Sequence, residues 1–336
     1  MSKIYEALQR AEQERLESTD KPFAPNPEAS AAAAPAPVRP RDIPPPIPLW
    51  TPEPIPAATQ PVQDAHVFDQ LEADEAEEVP LDLEGIPTTL WKPLLQKLPA
   101  LEERGGAVEQ FRSLRTRLFA FRDLNQLKTI MISSGLPREG KSFIAANLAI
   151  SFARHKASRV LLIDGDMRRS SLHTLFGCSM LPGLTDYLAG HAGALEIMQR
   201  AQLNKDGSPI FAGLGSLTFI GGGGAGEKAA DLAGSKRFHK LIKQVSPYFD
   251  WIIVDSSPVN LVTDGVNLAH ACDGVLMVAR GGVTKFEAAQ RALAELKSSK
   301  ILGVVLNAVE TPPSVDGYYG YGSYDTPEPV AGTTSR

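Results

Sequence analysis

Cysteine, long apolar runs and excess positive charge are scarce in this sequence, and each scarcity excludes a class of protein. The only two cysteines, Cys178 and Cys272, lie far apart and match neither a disulfide framework nor a metal-binding spacing. No stretch approaches the roughly 20 consecutive apolar residues that a membrane-spanning helix needs. The N-terminus also lacks the apolar run of a secretory signal. We therefore expect a cytoplasmic protein, for which any work at the membrane goes through a partner.

The charge balance points away from nucleic acid. The chain carries a formal net charge of −5 and has a pI near 5.8, whereas a nucleic-acid-binding domain usually shows a basic face. We therefore expect no nucleic-acid partner.

Composition divides the chain into four segments. Residues 1–17 predict a short amphipathic helix, either a fraying terminus or a docking peptide. Residues 18–100 hold 18 of the 27 prolines and an acidic run at 74–78, so we predict a disordered linker. Residues 101–311 form the predicted folded domain. The tail, 312–336, is rich in Tyr, Gly and Pro and is also predicted to be disordered.

The folded segment alternates between strand and helix patterns. Its strands are apolar on both faces, as buried parallel strands are. Helices are predicted from 142 to about 155 and from Ser235, which can serve as an N-cap. This alternation predicts an α/β fold with a doubly wound, mostly parallel sheet, helices on both faces and ligands at the carboxyl ends of the strands. The predicted strands are 129–133, 159–164, 217–220, 251–255, 274–279 and 303–307.

A phosphate-binding motif lies between the first of these strands and the helix that follows. Residues 135–142 match the P-loop pattern G-x4-G-K-[ST], in which backbone N–H groups and the helix N-terminus surround phosphate oxygens. Lys141 is expected to reach the β- and γ-phosphates and Ser142 to ligate Mg²⁺, so the expected cofactors are ATP and Mg²⁺. Asn307 suits either adenine recognition or a turn. The predicted nucleotide-binding residues are Gly135, Leu136, Pro137, Arg138, Glu139, Gly140, Lys141, Ser142, Phe143 and Asn307.

Acidic residues end two other predicted strands. Asp255 is placed like the carboxylate that holds magnesium in P-loop NTPases. Asp164 and Asp166 lie two residues apart, so both side chains can face the phosphates. A strand-end aspartate can also be a turn former, but a second acidic strand end beside a P-loop favours a paired site. The predicted catalytic residues are Lys141, Asp164, Asp166 and Asp255, and the predicted metal ligands are Ser142, Asp164 and Asp255.

Several segments, taken in order, resemble the bacterial tyrosine kinases of polysaccharide synthesis, the BY-kinases, within the MinD/ParA-like P-loop ATPases. Residues 162–168, Leu-Ile-Asp-Gly-Asp-Met-Arg, look like the second Walker-type motif of that family. Residues 109–115 are similar to its E-x-x-R-x-x-R oligomerisation helix. Residues 318–324 look like its C-terminal tyrosine cluster. The resemblance covers about 105–325.

The resemblance implies a tyrosine autokinase that regulates exopolysaccharide or capsule synthesis. The implied acceptors are Tyr318, Tyr319, Tyr321 and Tyr324 of an adjacent subunit, and the phenol proton passes to either Asp164 or Asp166. Glu109, Arg112 and Arg115 become the implied subunit contacts of a ring. The implied partners are a membrane polysaccharide co-polymerase as activator and a cognate tyrosine phosphatase.

Two P-loop positions separate the alternatives. MinD/ParA ATPases carry a lysine directly after the first P-loop glycine, where this chain has Leu136. This residue argues against a MinD/ParA-like ATPase that positions cell-envelope machinery. BY-kinases usually have Gly where Arg138 stands, which leaves a nucleotide-binding scaffold without kinase activity as a further alternative.

Overall fold

An eight-stranded sheet organises the part of the chain that the computed structural model describes, residues 80–309 without 125, 157, 226 and 227. The strand order is β1-β4-β5-β3-β6-β2-β7-β8. Neighbouring strands are parallel except β4 and β5, which are antiparallel. The strands are β1 (Thr88–Thr89), β2 (Thr129–Ser134), β3 (Val160–Asp164), β4 (Met198–Ala201), β5 (Leu217–Ile220), β6 (Trp251–Asp255), β7 (Gly274–Arg280) and β8 (Ile301–Asn307).

Helices cover both faces of this sheet. Successive strand residues point to opposite faces, and Ile130 and Met131 of β2 accordingly belong to two different hydrophobic clusters. The predicted doubly wound α/β fold with a mostly parallel sheet is confirmed. The helices are α1 (Gly106–Leu124), α2 (Lys141–Ala153), α3 (Leu172–Phe176), α4 (Leu184–Leu188), α5 (Ala229–Ala233), α6 (Lys236–Val245), α7 (Asp264–Ala269) and α8 (Phe286–Glu295).

The central strands are buried along their whole length. Every residue of β2, β3, β5 and β6 is buried, which explains their continuous apolar sequences. The edge strand β8 is mostly half-buried. Parallel pairing brings the carboxyl ends of β2, β3 and β6 together at one edge of the sheet, where the P-loop also lies.

The folded region begins before residue 101, which corrects the predicted end of the linker at residue 100. Trp91 and Leu98 are buried, and Trp91 packs against Phe176 with ring centroids 5.4 Å apart. Short 3₁₀ helices at Leu83–Gly85, Leu95–Lys97 and Pro99–Leu101 carry this segment over the core. Pro99 occupies the first position of the last of these helices, where proline is well tolerated, so prolines in this segment are compatible with folding.

The individual helix predictions have mixed outcomes. The helix after the P-loop is present and ends at Ala153. Ser235 does precede α6, but its hydroxyl donates to Leu232 O, so it makes no side-chain capping bond. The N-terminal helix, most of the linker and the tail tyrosines lie outside the described residues. Among the helices that are described, none is long and apolar enough to cross a membrane.

Asn147 fastens the segment before α1 to helix α2. It is fully buried; its Oδ1 accepts from Ala100 N at 3.0 Å, and its Nδ2 donates to Lys97 O at 3.1 Å and Phe143 O at 2.9 Å. One buried side chain thus joins the backbone of this segment to the backbone of α2, and it supplies the partner of the buried Ala100 N–H.

We predict that Asn147→Ala lowers the free energy of unfolding by about 2–3 kcal/mol, because buried backbone groups lose their partners. Urea denaturation measures this change. The control is Asn204→Ala in an exposed loop, which should stay within about 0.5 kcal/mol of the parent protein. Equal effects of the two substitutions would show that the Asn147 bonds do not fasten this segment.

Candidate active site

The P-loop connects the end of β2 to the start of α2 and leaves little room at its second glycine. Gly140 has φ 99°, a left-handed conformation that favours glycine. A Cβ atom on Gly140 would lie 2.0 Å from Asn307 Nδ2. That amide donates to Glu139 O at 2.9 Å, so the last strand supports the loop directly. Adenine recognition by Asn307 stays a prediction.

Glu139 braces the loop from within. Its side chain is buried, and its carboxylate accepts from Leu136 N at 2.8 Å and from the Thr284 hydroxyl. The carboxylate is therefore committed to the loop, and the backbone is the part of Glu139 that can face phosphate. Thr284 follows β7, and no sequence motif pointed to it.

Lys141, Ser142 and Asp255 form the charged centre of the site. Lys141 is only 7% exposed and Asp255 is fully buried. Asp255 Oδ1 accepts from Ser256 N at 3.1 Å, and the nearby Ser142 hydroxyl accepts from Ser171 Oγ at 3.1 Å. Asp255 Oδ2 has no hydrogen-bond partner among the described residues. A buried carboxylate oxygen without a partner, next to a serine hydroxyl and a lysine, fits a divalent cation bound together with phosphate.

Asp164 organises the loop that follows β3. Its Oδ2 accepts from Ser170 Oγ at 2.7 Å, Ser171 N at 3.0 Å and Leu172 N at 3.1 Å. Its Oδ1 accepts from Asp166 N at 3.2 Å. Both oxygens are thus engaged in holding the chain from 166 to 172. Sequence reasoning missed the two serines, although consecutive serines before a short helix are a capping signal.

Asp166 and Arg168 lie in the loop that Asp164 holds. Asp166 is half-buried and accepts from Arg169 N at 3.1 Å, so it remains accessible at the mouth of the site. Arg168 forms two bonds to the buried Asp264 of α7, Nε–Oδ2 at 2.6 Å and Nη2–Oδ1 at 3.2 Å. This paired geometry ties the loop to the helix after β6.

Asp164 and Asp255 are register partners on adjacent strands, and both are fully buried. Burial is the largest cause that raises the pKa of each carboxyl. The charge on Asp164 raises the pKa of Asp255 further, whereas Lys141 and the nearby Ser142 hydroxyl lower it. One of the two groups therefore tends to hold a proton until a cation arrives.

Arg138 occupies a strained position in the same loop. Its φ is 63°, in the left-handed region that non-glycine residues rarely adopt. The side chain is exposed, and the described residues form no ion pair with it. The phosphate-binding loop thus carries the exposed guanidinium of Arg138 on a strained backbone position.

The remaining predicted site residues make contacts within the protein. The centroid of the Phe143 ring lies 5.9 Å from that of the Phe111 ring of α1, and a nucleotide contact by Phe143 stays a prediction. Glu109 pairs with Arg112 on the same helix, and Arg115 donates to Ser151 O at 2.7 Å. The subunit interface proposed for Glu109, Arg112 and Arg115 stays a prediction.

The fold and this site together define a P-loop nucleotide-binding protein. The family described as the CobQ/CobB/MinD/ParA nucleotide binding domain matches residues 130–317. Tyrosine-protein kinase YwqD of Bacillus subtilis is 34% identical over 216 residues, which cover 63% of this chain and 86% of that protein. The kinase domain of Escherichia coli tyrosine kinase ETK superposes with a TM-score of 0.58 at 28% identity, covering 70% of this chain and 89% of that domain.

The chain belongs to the bacterial tyrosine kinase family, as the resemblance of its motifs predicted. Relatives in the family differ in length. Tyrosine-protein kinase wzc of Salmonella typhimurium is 32% identical over 222 residues, yet the matched region is only 29% of that protein. This chain therefore matches only part of that longer protein.

We predict that the metal-free protein loses stability as pH rises between the ordinary carboxyl pKa of 3.8 and the raised pKa of about 8 for Asp255. The folded state keeps a proton there that the unfolded state has released, so folding is favoured at the lower pH. Asp255→Asn removes this titration and should flatten the decline, by an amount on the order of a few kcal/mol. Thermal unfolding at several pH values without Mg²⁺ or nucleotide measures it. If the stability of Asp255→Asn declined with pH as steeply as that of the parent protein, Asp255 would not be the group that titrates.

We predict that Arg138→Gly is more stable than Arg138→Ala by about 0.5–1 kcal/mol, because only glycine relieves the left-handed strain while both remove the guanidinium. Urea denaturation of the two variants, side by side, gives the difference. If the alanine variant is equally stable, the loop does not hold position 138 at positive φ in solution.

Proposed function

We propose that the chain is an ATP-dependent protein-tyrosine autokinase that transfers the γ-phosphoryl group of ATP to tyrosines of its own C-terminal tail, in an adjacent subunit. The observation that carries the proposal is the partnerless oxygen of buried Asp255 beside Lys141 and Ser142. This arrangement suits a metal–nucleotide complex. Membership of a tyrosine kinase family supports the choice of acceptor.

The transfer needs positioning and charge stabilisation more than covalent chemistry. A tail phenol oxygen forms a bond to the γ-phosphorus while the bond to the β–γ bridging oxygen breaks, and ADP leaves. Lys141 stabilises the charge that develops on the phosphoryl oxygens. Ser142 and Asp255 would hold Mg²⁺, which neutralises phosphate charge when bound.

Asp166 is our candidate for the base that accepts the phenol proton. A phenol has a pKa near 10, so a nearby carboxylate assists its attack at neutral pH. Both oxygens of Asp164 are already engaged with the chain from 166 to 172. We therefore assign Asp164 to positioning the loop that carries Asp166. This assignment chooses between the two bases that the sequence left open.

The proposal extends to acceptors and partners. The acceptors are Tyr318, Tyr319, Tyr321 and Tyr324, which are spaced by glycines in the sequence. Each phosphoryl group adds about −1.5 to −2 charge, so a phosphorylated tail would repel its neighbours and loosen a ring. The proposed activator is a membrane polysaccharide co-polymerase that recruits the kinase to the inner face of the membrane. A tyrosine phosphatase would reset the cycle and so regulate exopolysaccharide or capsule synthesis.

We predict that the purified full-length chain, incubated with γ-labelled ATP and Mg²⁺, acquires label on tail tyrosines. Lys141→Met should reduce labelling at least about 100-fold, because it removes the cation that stabilises the transferred group. The matched control is Lys240→Met on the exposed side of α6, which should label like the parent. Phosphopeptide mapping identifies the sites.

Two outcomes would overturn the proposal. One is ATP hydrolysis with no label on the four tail tyrosines, which would favour a MinD/ParA-like ATPase role without tyrosine transfer. The other is full labelling of the Lys141→Met variant, which would place the active site elsewhere.

A further inference from the structure

A cationic cavity lies between α1 and the far end of α2. Its volume is about 270 Å³, and it adjoins Ser151, whereas the P-loop serine, Ser142, lies at the other end of the same helix. The rise of an α-helix separates these two serines by about 14 Å. The cavity is therefore distinct from the nucleotide site. Its ionisable lining consists of Arg112, Arg115, Arg154, His155 and Lys156.

Two of the arginines have no carboxylate partner among the described residues. Arg115 donates to Ser151 O at 2.7 Å, and Arg154 donates to Ala100 O at 2.7 Å and to Glu102 O. These are carbonyl oxygens, which orient a guanidinium without neutralising it. Burial lowers the pKa of Arg115, the charges of Arg112 and Arg154 lower it further, and Glu109 partly opposes them. Arg112 is paired with Glu109, whereas Arg115 and Arg154 are held close together by carbonyl oxygens, an arrangement that suits an anion.

The lysine at the rim adopts an unusual backbone conformation. Lys156 has φ 50° in the turn that follows α2, a position where helices commonly use glycine because left-handed geometry strains other residues. The chain instead places a long cationic side chain at the cavity. A strained non-glycine residue at a charged pocket is a pointer to function.

The cavity also has an apolar wall. Val108 and Phe111 line it on the same face of α1 as Arg112 and Arg115, each four residues before one of the two arginines. Arginines bind phosphate oxygens with paired N–H groups, and an aromatic ring prefers an apolar surface. An aryl phosphate matches both parts of this lining, whereas inorganic phosphate would leave the apolar wall unused.

We propose that this cavity binds a phosphotyrosine side chain, with the phosphate at Arg115, Arg154 and Lys156 and the ring against Val108 and Phe111. For the origin of its ligand the inference rests on the proposed autokinase function, because the tail then supplies phosphotyrosine. The kinase would thereby hold its own product at a site separate from the nucleotide.

The test measures binding of synthetic tail peptides, so it does not depend on kinase activity. Full-length protein is treated with a phosphatase, which is then removed, and its P-loop is filled with excess ADP and Mg²⁺. A fluorescent peptide of residues 312–327 with phosphate on Tyr318 should bind at least about tenfold more tightly than the unphosphorylated peptide, by anisotropy. Phenyl phosphate should compete at lower concentration than inorganic phosphate.

Variants at the rim separate charge from structure. Lys156→Asn tolerates the left-handed conformation and removes the cation, so it should lose most of the preference for the phosphopeptide. Lys156→Arg should keep it, and Lys205→Asn, in an exposed loop outside the cavity lining, should not change it. Thermal unfolding checks that each variant is folded.

The proposal is overturned if the peptides bind equally, or if Lys156→Asn and Arg115→Gln both retain the preference. Equal competition by phenyl phosphate and inorganic phosphate would refute the aryl part. If tail labelling fails but the phosphopeptide binds, the cavity is supported and the autokinase proposal alone fails. If labelling succeeds and the phosphopeptide does not bind, the cavity proposal alone fails.

Discussion

The burial of two carboxylates on neighbouring strands constrains the rest of this structure. Asp164 and Asp255 are aligned by the parallel pairing of β3 and β6, and neither is exposed to solvent. Two unsolvated negative charges at this spacing are costly unless a proton, cation or set of donors compensates them. The two carboxylates are stabilised in different ways. Asp164 receives hydrogen bonds from the following loop, while Asp255 faces Lys141 and keeps one oxygen without a partner.

Because Asp164 supports a loop, the positions of the functional side chains depend on residues that do not themselves face the phosphates. Asp164 holds the loop of Asp166, and Arg168 fastens the same loop to α7 through Asp264. On the other side, Glu139 and Asn307 hold the P-loop from inside and from β8. A functional group is placed accurately when its supporting contacts are themselves fixed. Substitutions at these supporting positions should therefore affect the site without touching the nucleotide.

The sequence predicted the parts of this molecule that follow local rules. Continuous apolar strands, the P-loop spacing and the aspartates at strand ends each have a short-range signature, and the central fold followed from them. Contacts between distant segments have no such signature: Thr284 reaches Glu139, and Asp264 reaches Arg168. The prediction that the linker ends at residue 100 was wrong for a related reason. Trp91 and Leu98 are buried in the core of the folded domain, and composition alone does not reveal such a contact.

The hydrogen bond from Asn307 to the P-loop also determines the point at which the C-terminal tail leaves the folded domain. The chain leaves β8 at Asn307, beside the phosphate-binding loop, and residues 308–317 separate it from Tyr318. Fully extended, that connection spans about 35 Å, and short tethers give effective concentrations in the millimolar range. Under the proposed autokinase function, a subunit's own tail would therefore compete with its neighbour's for the same active site. The length of this tether, as well as the affinity between subunits, would then set the balance between self-modification and modification of a neighbour.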